Sequence, residues 1–75
     1  MEIYKNMGGE SSVVGYDIGP ESITVYFSDG SAYLYTCQTA GENNIKEMKR
    51  LAALGQGLNS FIMQHVRKPY AAKLR

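Results

Sequence analysis

The sequence predicts an α+β fold, a three-stranded antiparallel β-meander followed by two α-helices packed on one face, in the order β-β-β-α-α. Three observations predict it. Residues 13–36 carry two-residue alternation around Asp29-Gly30, residues 45–66 carry apolar side chains at helical spacing, and Gly41 and Gly55 punctuate the second region.

The first strand is Val13-Val14-Gly15-Tyr16-Asp17-Ile18, returned by Gly19-Pro20-Glu21, where proline suits an early turn position and glycine tolerates positive φ. The length of that turn sets the face of Tyr16, and the sequence leaves it open. In the second strand Ile23, Val25 and Phe27 alternate with Thr24, Tyr26 and Ser28, and the third runs from Ser31 to Thr36. Asp-Gly between alternating runs is the strongest short-range hairpin signal. With a two-residue turn, Ser28 pairs with Ser31, Phe27 with Ala32, Val25 with Leu34 and Ile23 with Thr36. That register builds one apolar face and leaves Tyr26, Tyr33 and Tyr35 together on the other.

The helices follow. Gly41-Glu42-Asn43-Asn44 offers an asparagine N-cap before Ile45, and Ile45, Met48, Ala52 with Leu51 or Leu54 trace the apolar stripe. Gly55 ends this helix in the left-handed conformation. Leu58, Phe61, Ile62 and Val66 stripe the second helix, with Arg67 and Lys68 expected in its last turn before Pro69. Residues 1–10, with Gly8-Gly9, are expected as a flexible N-terminal arm, and residues 11–75 as a single domain.

Composition narrows the function. The chain has 75 residues, and its 16 Ile, Leu, Val and Phe suffice for a thin core. No apolar run reaches the roughly 20 residues of a membrane span, and MEIYKN lacks a signal peptide's basic region, so no membrane partner and a cytoplasmic location are expected. One Cys37 and one His65 exclude a disulfide framework and a Cys/His zinc site within one chain; no metal or cofactor is expected. Nucleophilic catalysis by Cys37 with His65, or by Ser60 with His65, needs an adjacency that nothing in the sequence supplies, so no catalytic residue is assigned. Gly55-Gln56-Gly57 lacks the lysine and hydroxyl of a phosphate loop and reads as a cap and turn.

Charge gives the sharper signal. The formal net charge is +1, yet residues 1–42 carry six acids against Lys5 alone, and residues 43–75 carry seven bases against Glu47 alone. Lys46, Lys49, Arg50, Arg67, Lys68, Lys73 and Arg75 are the nucleic-acid-binding candidates, provided that the two helices turn them in one direction. Tyr26, Tyr33, Tyr35 and Tyr70 are candidates for base stacking or for an interface, although tyrosine also suits half-exposed pleats.

Val14-Gly15-Tyr16-Asp17, the strand from Ile23, Asp29-Gly30-Ser31-Ala32-Tyr33-Leu34-Tyr35, Gly57-Leu58-Asn59-Ser60-Phe61-Ile62 and Val66-Arg67-Lys68-Pro69-Tyr70-Ala71 together resemble the KTSC domain. That family is named for the C-terminal extension of some lysyl-tRNA synthetases and also occurs as small free-standing bacterial and phage-type proteins. The similarity spans residues 11–72; Ser11-Ser12 match its serine run, with a shorter spacing to Gly15-Tyr16. The resemblance implies a small α+β accessory domain without known catalytic residues, associated with RNA, and it carries over Tyr16, Asn59, Arg67 and Tyr70 by position.

Two function classes follow. The favoured expectation is a non-enzymatic RNA-binding or other nucleic-acid-binding module that uses the basic helical face. The other is a protein-interaction module, a homodimer or small phage-type inhibitor, that uses the tyrosine-rich sheet face.

Overall fold

The computed structural model describes residues 1–7, 9 and 11–75. It is α+β, with one antiparallel sheet whose strands lie in chain order: β1 (Glu2–Ile3), β2 (Val13–Gly19), β3 (Ser22–Phe27), β4 (Ala32–Thr36) and β5 (Ala72–Lys73). Helices α1 (Cys37–Ala40), α2 (Glu42–Leu54) and α3 (Leu58–His65) lie between β4 and β5. The expected three strands are the middle ones, and two-residue segments near the termini add an edge on each side.

Glu2 and Ile3 pair with Tyr16 and Gly15, so this part of the expected flexible arm is a strand. Tyr4 is buried, and its hydroxyl accepts the Leu58 N–H at 3.2 Å, satisfying one of the orphan donors at the start of α3. The Met7 N–H donates to the Gly55 carbonyl at 2.7 Å. Gly8 and Glu10 of the expected arm lie outside the described residues.

The β3–β4 register differs from the expected one by one residue. Ile23 pairs with Tyr35, Val25 with Tyr33 and Tyr26 with Ala32, because the loop holds three residues, 28–30, rather than Asp29-Gly30 alone. The Gly30 N–H donates to the Phe27 carbonyl at 3.0 Å, the Phe27 N–H donates to the Ser31 carbonyl at 2.8 Å, and Gly30 alone in the loop takes positive φ, 91°. A two-residue type I′ turn would force Asp29 to positive φ as well. In the longer loop Asp29 Oδ1 instead accepts from the Ser31 N–H at 2.9 Å and hydroxyl at 2.6 Å. One residue of slip exchanges faces. Tyr33 and Tyr35 therefore join Ile23 and Val25 on the helix-covered face, and only Tyr26 stays on the other, so the single tyrosine face is not formed. Tyr16 pairs with Val25 and packs half-buried against the core.

Helix α1 was not expected. Thr36 and Thr39 form a reciprocal capping box that turns the end of β4 directly into a helical turn. Gly41 then caps α2, not an asparagine; Asn44 lies inside the helix and donates to the Ala40 carbonyl at 2.7 Å. Gly55 ends α2 in the left-handed conformation, as its position predicts, and a side chain there would meet Lys5 Cβ at 2.6 Å. Helix α3 stops at His65, so Arg67 and Lys68 lie beyond it, not in its last turn. Val66 turns out of the helix with its side chain fully buried, five residues before the chain bonds again to β4 at Ala71.

The core lies between the sheet and the helices. Ile23, Val25 and Tyr35 meet Ile45, Met48, Leu51 and Ala52 of α2 and Leu58 and Ile62 of α3, closed at the ends by Tyr4, Val13 and Val66. Each buried aliphatic side chain here contributes about 1.5–3 kcal/mol. Tyr4→Phe keeps the packing but strands the Leu58 N–H, and urea unfolding is expected to show a loss of about 1–2 kcal/mol. A flexible arm would show no loss.

Candidate functional site

A cleft of about 340 Å³ opens between the β3–β4 hairpin, helix α3 and the segment that follows it. Its floor and walls are Phe27, Tyr33, Tyr35 and Tyr70, with Ile62 and Met63 from α3. The strand pairing described above places the three sheet aromatics on this side, and the chain reversal after Val66 brings Tyr70 against them. The rings meet edge to face: Phe27 and Tyr33 at 5.7 Å and 79°, Tyr33 and Tyr70 at 4.9 Å and 61°, Tyr35 and Tyr70 at 6.5 Å and 86°. Aromatic pairs favour this arrangement because the positive edge of one ring meets the negative face of the next.

The rim is polar. Ser12, Ser28, Asp29, Ser31, Asn59 and Arg67 line it. Ser12 ties three elements together: its carbonyl accepts the Ser28 N–H at 2.7 Å, and its hydroxyl donates to Asn59 Oδ1 at 3.1 Å. Lys73 pairs with Tyr33 across β4 and β5, and its ammonium lies 5.9 Å from the centre of the Tyr33 ring. The hydrogen bond from the Ser31 hydroxyl, first, holds the Asp29 carboxyl below its ordinary value, and Lys73 adds a smaller push in the same direction. Asp29 is thus a fixed anion beside a cation at the mouth of the cleft.

Of the seven basic candidates, Arg67 lines this cleft and Lys73 lies next to it, over the Tyr33 ring. The other five lie apart from it. Lys46 pairs with Glu42 at 3.4 Å, one helical turn away. Arg50 grips Glu47 with two bonds, Nε to Oε1 at 2.9 Å and Nη2 to Oε2 at 2.5 Å, which hold the Glu47 carboxyl below its ordinary value. Lys49 donates to the Gly19 carbonyl at 2.7 Å and the Pro20 carbonyl at 3.3 Å, so it fastens the β2–β3 turn to α2. Arg75 lies 5.6 Å from the Tyr26 ring on the opposite sheet face, and Lys68 is exposed after α3. No carboxylate lies within 4 Å of Arg67 or Lys73 among the described residues.

Three of the four residues carried by the family resemblance, Asn59, Arg67 and Tyr70, line the cleft, and Ser12 of the serine pair joins them; Tyr16 does not. Sequence reasoning missed Phe27, assigned wholly to the core, and Asp29, assigned wholly to the turn. The signal for both was Ser31: a serine two residues after Asp29 favours a side-chain lock on the longer loop.

Cys37 opens α1, whereas His65 ends α3 and stacks on Phe61 at 4.6 Å. Among the described residues no three His, Cys, Asp or Glu side chains gather as metal ligands, and no helix is long and apolar enough to cross a membrane. Comparison of the chain with protein-family models, with curated proteins and with solved structures gives no match.

Burial, foremost, and the neighbouring hydroxyls of Tyr33 and Tyr70 push the Tyr35 hydroxyl from 10.0 up to about 12. A phenolate is therefore disfavoured in the folded chain. This contribution to stability is complete below pH 10 and is lost as pH rises through 12, worth roughly 2–3 kcal/mol in all. The hydrogen bond to Asp17 also raises the Tyr26 hydroxyl, so phenolate absorbance is expected to show a late component near pH 12 that Tyr35→Phe diminishes by one tyrosine; an unchanged late component in that variant would place it elsewhere.

Proposed function

We propose that the chain is a KTSC-like, non-enzymatic nucleic-acid-binding module of the cytoplasm, RNA being its partner, and that the aromatic cleft rather than the helical basic face holds the ligand. One observation carries this reading: Arg67 lines an aromatic-walled cleft with a polar rim, Lys73 lies over the ring of Tyr33, one of its walls, and neither cation has a carboxylate within 4 Å among the described residues. Aromatic rings offer stacking to a base, and cations beside them offer contacts to its phosphates. The meeting of Asn59, Arg67 and Tyr70 at this cleft supports both the family assignment and the location.

The α2 face supports binding less well, because Lys46 and Arg50 are already paired with carboxylates and Lys49 is bonded to carbonyls. The uncovered sheet face, with Ile3, Tyr26 and Leu34, supports the protein-contact reading less well. There the Tyr26 hydroxyl already donates to Asp17 at 2.5 Å and Arg75 already lies over its ring.

The salt dependence of binding tests the reading. Each phosphate neutralised on a single strand contributes about −0.7 to the slope of log K against log salt, so two contacts give about −1.4 and seven about −5. Anisotropy titration with labelled RNA is expected to give the shallow slope. Arg67→Glu is expected to weaken binding by at least about tenfold, while the double variant Lys46→Glu, Arg50→Glu leaves affinity within about threefold. The reverse pattern would return the site to the helix face.

A further inference from the structure

The geometry of the cleft points to a narrower ligand than nucleic acid in general, and the inference rests on the reading just given. Successive rings stand at 79°, 61° and 86° to one another. Such rings are walls; they do not form the flat platform on which several bases stack in sequence. A volume of about 340 Å³ lies at the small end of the range for small-ligand sites, about 300–1,000 Å³. Together the two observations fit one planar heterocycle inserted edge-first, with the chain that carries it passing outside.

The rim has groups suited to each part of such a ligand. Arg67 and Lys73 provide positive charge for the phosphates on either side of an inserted base. Asp29 has the opposite sign and sets a condition. Its Oδ1 is occupied by Ser31, and the carboxylate can only accept hydrogen bonds. A carboxylate on the rim repels the carbonyl edges of uracil and accepts from the exocyclic amino group of adenine, cytosine or guanine. Bases within a duplex are stacked and paired, and bringing one out costs several-fold to many-fold in affinity.

We propose that the cleft receives a single unpaired, amino-bearing base, adenine, cytosine or guanine rather than uracil, of single-stranded RNA, with Arg67 and Lys73 on its flanking phosphates, Tyr33 and Tyr70 against the ring, and Asp29 as acceptor for the amino group. Double-stranded RNA and uridine runs are disfavoured ligands of the same surface.

Titration of the full chain with fluorescein-labelled eight-nucleotide oligo(A), oligo(C) and oligo(U), and with an eight-base-pair RNA duplex, tests this directly. Oligo(A) or oligo(C) is expected to bind at least about tenfold more tightly than oligo(U) or duplex, and to quench tyrosine fluorescence. Tyr70→Ala is expected to remove most of that affinity. Because Tyr70 also packs on Tyr33, a second variant is needed: Asp29→Asn, at an exposed loop position, is expected to bind oligo(U) more tightly and to erase the preference. Equal binding of all four ligands, or tighter binding of duplex, overturns the single-base proposal and leaves the nucleic-acid reading standing provided that Arg67→Glu still weakens binding. Failure of all four ligands to bind at low salt overturns both.

Discussion

The pairing of β3 with β4 is the constraint on which the rest of the molecule depends. A sheet gives each strand only two faces, and the loop decides which residues share one. With Gly30 alone at positive φ and Asp29 locked to Ser31, the loop holds three residues, and Tyr33 and Tyr35 turn towards the helices. Had the loop held two, Leu34 and Ala32 would face the helices and the tyrosines would face solvent. The core would then lose its largest buried side chain, Tyr35, and the cleft would have no aromatic walls. The length of one loop thus selects between two different surfaces, and the burial of Tyr35 reinforces the same choice.

The segment after Val66 completes what the hairpin begins. Val66 is an apolar anchor at one end, and at the other Ala71 and Leu74 donate to the Leu34 and Ala32 carbonyls of β4 at 2.6 and 2.7 Å. Between these ends the chain carries Arg67 and Tyr70, two of the groups that make the cleft. The same strand that satisfies the outer edge of β4 therefore delivers a cation and an aromatic ring to the site. On the other side, Tyr4 links β1 to the start of α3, so helix and sheet are held in register from both ends of the chain.

The central fold was readable from residues alone wherever a pattern was long enough to be redundant. The period-two run over residues 22–36, the stripe Ile45, Met48, Leu51 and Ala52, and the stop at Gly55 each rest on several side chains that agree. The edges were not readable, because β1 and β5 are two residues each and their pairing comes from partners distant in sequence. Helix α1 was hidden for a similar reason: its cap is a reciprocal bond between Thr36 and Thr39, both of which also suit a strand. Of the site, Tyr33, Tyr35, Tyr70, Arg67 and Lys73 were singled out as residue types, but their grouping was not visible. It depends on a one-residue difference in loop length and on a reversal after α3.

The seven cations of the second half illustrate a more general limit on reading charge from composition. Charge separation along a chain of 75 residues measures how many cations there are; it does not measure how many are available. Here the three on α2 are engaged within the fold: Lys49 satisfies turn carbonyls, and Lys46 and Arg50 answer the acids placed three and four residues before them. Exposed pairs of this kind add little stability, but they do neutralise the helix surface, which removes the strongest apparent attraction for a polyanion. Of the other four, Lys68 is exposed after α3 and Arg75 lies over Tyr26, which leaves Arg67 and Lys73 beside the group of rings. In the binding site proposed above, such an arrangement would discriminate ligands by shape and hydrogen bonding before it did so by charge, and a carboxylate at its rim would be a source of selectivity rather than a defect.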